Sequence, residues 1–549
     1  MLADLWHKNA VVYSLAVDSF LDAKGDGCGD FEGLSRRLDY LESLGVNVLW
    51  LAPFQPTPNR DNGYDISDFY GVDPRFGSSG DFVEFMHEAK SRGIRVIADL
   101  VVNHTSDAHP WFREARRRDS PRHDWYVWAD KRPPDWETGM VFPGVQKTTW
   151  TRDPEAKRWY FHRFFDFQPD LDMANPRVRE EVRRIVGFWL ELGVSGFRVD
   201  AVPFLLEKPS VNGGKSQLRF EWLRELREFL QWRVGDAVLL GEANVLPGES
   251  QRYFANGDGL HMMFNFWVNQ HLFYALASGD VRPLAQALRA TRKVPQGVQW
   301  AHFLRNHDEL DLGRLTEEQR ALVFERFGPE PSMQLYGRGI RRRLAPMLGD
   351  RRRIELAYSV LFSLPGTPVL RYGDEIGMGD DLSLREREAI RTPMQWSSEP
   401  NAGFSTADKL VRPVIAGGLY GYEEVNVEQQ RRDRESLLRW TTRMIRMRKQ
   451  CPEIGWGEWA IVPTRSRSVL AVLHSWRGTS LLCVHNFAPE PREVSIRLQV
   501  EGGDRLANLV DAADSRVGGG GAHRLALEPY ASRWYRVGGV EPALRRETS

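Results

Sequence analysis

Cysteine is scarce in this chain: Cys28, Cys451 and Cys483 are the three in 549 residues. An odd number without metal-ligand spacing excludes a disulfide framework and points to a reducing compartment, the cytoplasm. Net charge is lacking too, because Lys plus Arg and Asp plus Glu are 74 each. No field of one sign draws such a chain to nucleic acid or to a membrane surface, and a small neutral partner fits better. Nowhere do eighteen apolar residues run together, which removes a membrane-spanning helix. The segment Met1 to Ala10, with Asp4, Trp6, His7 and Lys8, reads as neither a secretory leader nor an anchor. No repeat of short fixed period occurs. What is present is 42% hydrophobic and 27% charged content, enough for a large core and more than one domain. Aromatic residues are plentiful, at 19 Trp, 28 Phe and 15 Tyr, and most are expected to pack cores and interfaces. The arginine runs Arg338 to Arg343 and Arg351 to Arg353 read as solvated helix faces paired with acids rather than as nucleic-acid contacts.

Strand and helix patterns alternate over the first two-thirds of the chain. Candidate strands are Val11 to Val17, Val46 to Ala52, Arg95 to Val102, Gly196 to Val202, Ala237 to Ala243, His261 to Phe266, Trp300 to Asn306 and Thr367 to Tyr372. Helical periodicity covers Phe31 to Leu44, Asp81 to Arg92, Val178 to Leu192 and Glu221 to Trp232. Eight such units predict an α/β fold, a parallel (β/α)8 TIM barrel over residues 1–103 and 173–455. Residues 104–172 break the rhythm with many aromatics and with Pro110, Pro121, Pro133, Pro134 and Pro143, which predicts an inserted lid subdomain after strand 3. Past about residue 456 short alternating runs, Ser468 to Ser475, Ser480 to Asn486, Glu493 to Val500 and Ser532 to Val537, predict a C-terminal antiparallel β-sandwich ending at 549. The Gly518 to Gly521 run reads as a loose turn and Gly539 to Ser549 as a frayed tail.

Three of the strands end in a carboxylate: Gly196-Phe197-Arg198-Val199-Asp200, Leu239-Leu240-Gly241-Glu242 and Phe303-Leu304-Arg305-Asn306-His307-Asp308. Catalytic groups of a parallel barrel sit at the C-terminal strand ends, so three acids there predict one active site. Taken singly, each would serve as a helix N-cap or an ion-pair partner. Cleaving a glycosidic bond with retention needs a carboxylate nucleophile and a carboxylic acid about 5 Å apart, which Asp200 and Glu242 on adjacent strands can provide. Arg198, two residues before Asp200, shares its face and is expected to keep that carboxylate ionised. The apolar run before Glu242 is expected to raise its pKa, and Asp308 with His307 to hold sugar hydroxyls.

These residues resemble the motifs of the α-amylase superfamily, glycoside hydrolase family thirteen. Gly196 to Asp200 is similar to its nucleophile motif, Val101 to Ser106 to its third-strand motif, Gly241-Glu242 to its acid/base motif and Asn306 to Asp308 to its stabiliser motif. The resemblance implies Asp200 as nucleophile, Glu242 as general acid/base and Asp308 as transition-state stabiliser. It implies sugar contacts from Asp65, His104, Arg198 and His307, with Gln168 and Arg391 from two longer matching segments, Gln168 to Asp172 and Arg391 to Trp396. Those segments resemble the branch of oligo-1,6-glucosidases and trehalose synthases. Arg341 to Pro346, Ser363 to Pro368 and Tyr372 to Asp380 are similar to the trehalose synthase side of it. The implied reaction is isomerisation of maltose to trehalose through a covalent glucosyl-enzyme; α-glucosidase or transglucosidase chemistry and a non-catalytic sugar-binding relative are the alternatives. Lys208 to Arg219 departs from the pattern of the pocket-sealing loop, and Arg371 stands where relatives often carry Tyr.

No organic cofactor is implied. The resemblance does imply one structural calcium ion, held by Asn103, Asp170, the Phe204 and Leu205 carbonyls and Glu207. The run Asp22, Lys24, Asp26, Cys28, Asp30 has the alternate spacing of a calcium loop, but an ammonium at position 24 argues against an ion there. The expected partner is a disaccharide, with no nucleic acid and no membrane; the sequence leaves open whether the chain forms a homo-oligomer.

Overall fold

The computed structural model describes residues 5–208, 217–511, 513–518 and 521–539. Eight parallel strands close into a barrel: β1 Val12–Leu15, β2 Val48–Leu51, β3 Arg95–Leu100, β4 Gly196–Val199, β5 Val238–Gly241, β6 Met262–Phe264, β7 Gln299–Phe303 and β8 Thr367–Arg371. Each neighbours the next in sequence and β8 returns to β1, with Val12 opposite Val369. All eight expected strands are present, yet most are shorter than the apolar runs predicted. Residues such as Val101, Val102, Val202 and Ala243 remain buried after leaving the ladder, because the loops over the barrel mouth are themselves covered. Alternation then sorts the side chains. Val12, Val48, Trp50, Ile97, Val238, Leu240, Phe264, Phe303 and Val369 fill the barrel interior, and Asp99 and Arg198 add a charged pair in register at its top.

The helices largely match their predicted spans. The segment Phe31 to Leu44 is the exception, since it divides into Phe31–Arg36 and Leu38–Leu44 at Arg37. Between β3 and the helix Pro176–Glu191 lies a three-stranded sheet, Trp128–Ala129, Trp159–Phe161 and Trp150–Arg152. Its own apolar cluster is Val127, Ala129, Trp150 and Phe161. At the C-terminus a six-stranded sheet containing Val469–Trp476, Thr479–Asn486 and Ser532–Val537 faces a two-stranded one, Arg492–Ile496 with His523–Leu527. Strands Glu458–Ile461, Arg505–Asn508 and His523–Leu527 were not anticipated: the first has no buried residue, the second breaks alternation with two buried neighbours, and the third alternates but carries His523 and Arg524 in a five-residue run. Trp534 Nε1 donates to Ser359 Oγ at 3.0 Å and so ties this domain to the barrel helix Arg351–Ser363.

The reading of Arg338 to Arg343 as a solvated helix face is overturned. The run forms a short strand and loop, with Arg343 fully buried and donating to Asp374 at 3.1 Å. Of the unusual Lys208 to Arg219 loop, residues 209–216 lie outside the described residues, as do 519–520 of the glycine turn and 540–549 of the expected tail. The loop's flanks pair antiparallel, Glu207 with Leu218 and Lys208 with Gln217, so it begins and ends as a hairpin. Among the described residues no helix is long and apolar enough to cross a membrane.

Candidate active site

The strand ends converge on a cavity of about 490 Å³ lined by Asp200, Glu242, Asp308, His307, His104, Asp61 and Tyr64 from the barrel and by Phe142 and Phe164 from the insertion. A single guanidinium organises its acids. Arg198 Nη1 donates to Asp99 Oδ1 and Asp200 Oδ1, both at 2.6 Å, while Nη2 forms an ion pair with Glu242 Oε2 at 2.8 Å. One guanidinium thus contacts both Asp200 and Glu242, the two carboxylates that a retaining mechanism would pair. Directly after Asp200 the chain turns through Ala201, which adopts a left-handed φ of 48° and donates its N–H to Glu242 Oε2 at 3.1 Å. A non-glycine residue in that region is strained, and here the strain lies between the two acids.

Burial divides the acids electrostatically. It pushes Glu242 up to about 7 against the pull of Arg198, and negative Asp200 and Asp308 add to the rise. It also pushes Asp200 up to about 6 against the pull of Arg198, because that cation is shared among three acids and desolvation outweighs it. Asp308 is opposite in sense. Although burial raises its pKa, His307 and the guanidiniums of Arg387, at 2.8 Å, and Arg391, at 3.1 Å, hold it well below the usual carboxylate value. His307, pulled down to about 3 by burial, is neutral and shares a 2.8 Å hydrogen bond with the Tyr64 hydroxyl.

Some expected sugar contacts stand elsewhere. Asp65 is fully buried behind the wall, where its carboxylate accepts from the backbone N–H groups of Arg60 and Asp61 at 3.1 Å. Asp61 and Tyr64 line the cavity instead, because Asn62 (φ 51°) and Gly63 (φ 93°) turn the chain between them. A Cβ at Gly63 would meet the Pro53 carbonyl oxygen at 3.0 Å, so only glycine suits that turn. Gln168 and Arg391 act from behind. Gln168 Nε2 donates to Asp61 Oδ2 at 3.0 Å, and Arg391 Nε donates to the His307 carbonyl at 2.9 Å. His104 lines the cavity with Nε2 on the Tyr64 carbonyl at 2.9 Å. Sequence reasoning missed Asp99 and Arg387. The first is signalled only by a charge inside an apolar strand; Arg387 lies on a loop distant in sequence, and nothing local marks it.

The oxygen donors expected to hold calcium come from the lid and the barrel. Asn103 Nδ2 lies 3.1 Å from Asp170 Oδ2, and Glu207 follows the one-turn helix Val202–Leu205, whose last carbonyls are those of Phe204 and Leu205. Arg163 binds Glu207 at 2.6 Å and gives its N–H to Asp170 at 2.9 Å. Even so, burial drives Asp170 up to about 7, so its charge is not fully offset. Among the described residues no group of three or more His, Cys, Asp or Glu side chains is placed to hold a metal ion, so an ion here would depend on amide and carbonyl oxygens as well. The loop at 22–30 differs: Asp22 accepts from the N–H groups of Lys24, Gly25 and Gly27, and Asp30 from those of Ala23 and Gly33, so backbone amides already satisfy these acids.

Comparison with known proteins agrees with this geometry. The family described as alpha amylase, catalytic domain, matches residues 14–326 and 341–457. The chain belongs to the α-amylase family. Within that family it is 43% identical to the trehalose synthase of Thermus thermophilus over 98% of its own length, although it spans only 56% of that relative. The trehalose synthase/amylase TreS of Mycobacterium tuberculosis is also 43% identical, over 90% of this chain and 84% of that one. The solved trehalulose synthase MutB superposes with a TM-score of 0.79 at 27% identity, covering 97% of this α-amylase family chain and all of that one. A sucrose hydrolase-like C-terminal domain matches residues 478–536.

Proposed function

We propose that the protein is a trehalose synthase that isomerises maltose by retaining α-glucosyl transfer. The observation that carries the chemistry is the Arg198 guanidinium joining Asp200 and Glu242 at the floor of a disaccharide-sized cavity. Asp200 attacks the anomeric carbon of the non-reducing glucose. As the glycosidic C–O bond breaks, Glu242 gives its proton to the departing oxygen, which a pKa of about 7 suits it to do. Asp308, kept ionised by Arg387 and Arg391, stabilises the positive charge of the oxocarbenium-like transition state. The freed glucose turns within the cavity and returns its anomeric hydroxyl. Glu242 takes that proton, the new C–O bond forms with release of Asp200, and the product is trehalose.

Water entering at the covalent stage gives two glucoses, so the lid decides the outcome. Phe142 supports a closing role: its ring packs 5.1 Å from Tyr336 and 4.9 Å from the Arg387 guanidinium. Hydrolysis of maltose-type glucosides is the second reading, favoured by the departure of Lys208 to Arg219 from the pattern of the pocket-sealing loop. Asn103, Asp170, Glu207 and the Phe204 and Leu205 carbonyls would hold a calcium ion whose role is structural, bracing the lid on the barrel. A cytoplasmic location fits the three free thiols, Cys28, Cys451 and Cys483.

Incubation with maltose, followed by carbon NMR, tests the assignment. Trehalose in excess of glucose supports the isomerase, glucose alone supports the hydrolase, and no turnover refutes both.

A further inference from the structure

The active site occupies the C-terminal end of the barrel strands, and a second large cavity opens at the opposite end. Its volume is about 420 Å³, inside the roughly 300–1,000 Å³ range of small-molecule pockets. Gln299, which starts β7, and Lys8 form its barrel wall. Arg292 and Lys293, which follow the helix Arg282–Ala290, and Trp456 and Trp459, where the chain crosses into the C-terminal domain, complete it. The reaction above uses none of these residues.

The charge of this cavity is one-sided. Among the described residues Lys8, Arg292 and Lys293 form no ion pair. Lys8 Nζ donates to a neutral acceptor, the Val298 carbonyl, at 3.1 Å, and burial holds its pKa below the usual lysine value. Glu458 is the one acid in the lining, and His302, pulled down to about 4 by burial, is neutral. Positive charge is therefore in excess even when Glu458 is counted.

Indole faces stand beside these cations. Trp456 is 40% exposed, and stacking on Trp476 with ring centroids 6.1 Å apart fixes its plane. The Arg292 guanidinium lies over the Trp459 ring at 5.4 Å, which puts a cation and an indole on the same wall. A neutral sugar would use the indoles and leave the charges unmatched. A bare inorganic anion would use the charges and leave most of the space empty. A ring that carries a phosphate uses both.

We propose that this interdomain cavity binds a phosphate ester of a ring compound, a sugar phosphate or a nucleotide, with the phosphate on Lys8, Arg292 and Lys293 and the ring against Trp456. Bound there, the ligand joins the barrel to the C-terminal domain on the side away from catalysis. The proposal is independent of which sugar the active site converts, and no readout of its test uses turnover.

The test is titration calorimetry of the full chain at low ionic strength, with glucose 6-phosphate and adenosine diphosphate as separate probes. Saturable binding of at least one probe, at one equivalent per chain, is expected, and the tighter of the two tells a sugar phosphate from a nucleotide. Inorganic phosphate is expected to bind at least about tenfold more weakly than that probe. Arg292→Glu and Lys293→Glu, both at exposed positions, are each expected to weaken the probe about tenfold, and Trp456→Ala to weaken it several-fold. Absence of binding by both probes, inorganic phosphate binding as tightly as the esters, or wild-type affinity in the three variants overturns the proposal.

Discussion

Arg387 Nη1 donates to Asp308 Oδ1 at 2.8 Å, joining the loop beyond β8 to the acid beyond β7. From the same guanidinium Nη2 reaches Asp61 at 3.1 Å, and its face lies against Phe142 of the lid. The residue is thus both an electrostatic partner of the stabilising acid and part of the closure. Arg387→Ala is expected to lower kcat about 10²-fold, the scale for losing one transition-state contact. It is also expected to raise the proportion of maltose released as glucose. Turnover and product ratio equal to wild type contradict both roles.

Phe142→Ala isolates the seal from the electrostatics. The substitution removes the ring that packs on Tyr336 while leaving Asp200, Glu242 and Asp308 in place. Maltose consumption is expected to change little, and the glucose-to-trehalose ratio to rise several-fold. An unchanged ratio on NMR excludes Phe142 as part of the water barrier.

Asp200→Asn is expected to abolish turnover, with a loss of at least about 10³-fold, because an amide cannot form the proposed covalent glucosyl ester. Its folded pKa, raised from 3.8 to about 6, means that folding becomes less favourable as pH rises through that window. The neutral amide lacks that penalty. At pH 8 its melting temperature is therefore expected to equal or exceed that of wild type, measured calorimetrically.

The pH profile of kcat/KM is expected to be a narrow bell. Activity rises as the nucleophile loses its proton near pH 6 and falls as the acid loses its proton near pH 7, the two apparent values belonging to the pair. Glu242→Gln is expected to lose about 10²–10⁴-fold in rate and to lose the alkaline limb. A basic limb retained in that variant assigns it to another group.

Calcium is expected to raise the melting temperature of chelator-treated protein, and Asp170→Ala to remove the response. Differential scanning with and without added calcium reads both. No shift in wild type would argue that Arg163, already on Glu207 at 2.6 Å, is the cation of this junction.

The fold was legible because period and punctuation act locally. Runs such as Val48 to Leu51 and Val238 to Leu240 are buried on both faces, and a strand of that kind needs continuous apolar character whatever surrounds it. The three acids were legible for a related reason: a charge that ends such a run has only the barrel mouth to occupy. Interrupted strands, such as Arg505–Asn508, carry no comparable signal. Arg338 to Arg343 misled because a run of arginine is ordinarily solvated, and only the acids and carbonyls waiting inside, such as Asp374 for Arg343, reveal its burial.

The sequence by itself determined the barrel, the inserted and C-terminal domains, and the order Asp200, Glu242, Asp308 along the chain. Tertiary structure alone decided that Asp61 rather than Asp65 meets the cavity, because the left-handed turn at Asn62 and Gly63 reverses the facing of the chain. It also decided the protonation of the acids. Desolvation and shared partners depend on everything packed around a group, and Arg198 serves three carboxylates contributed by three different strands and the residues after them.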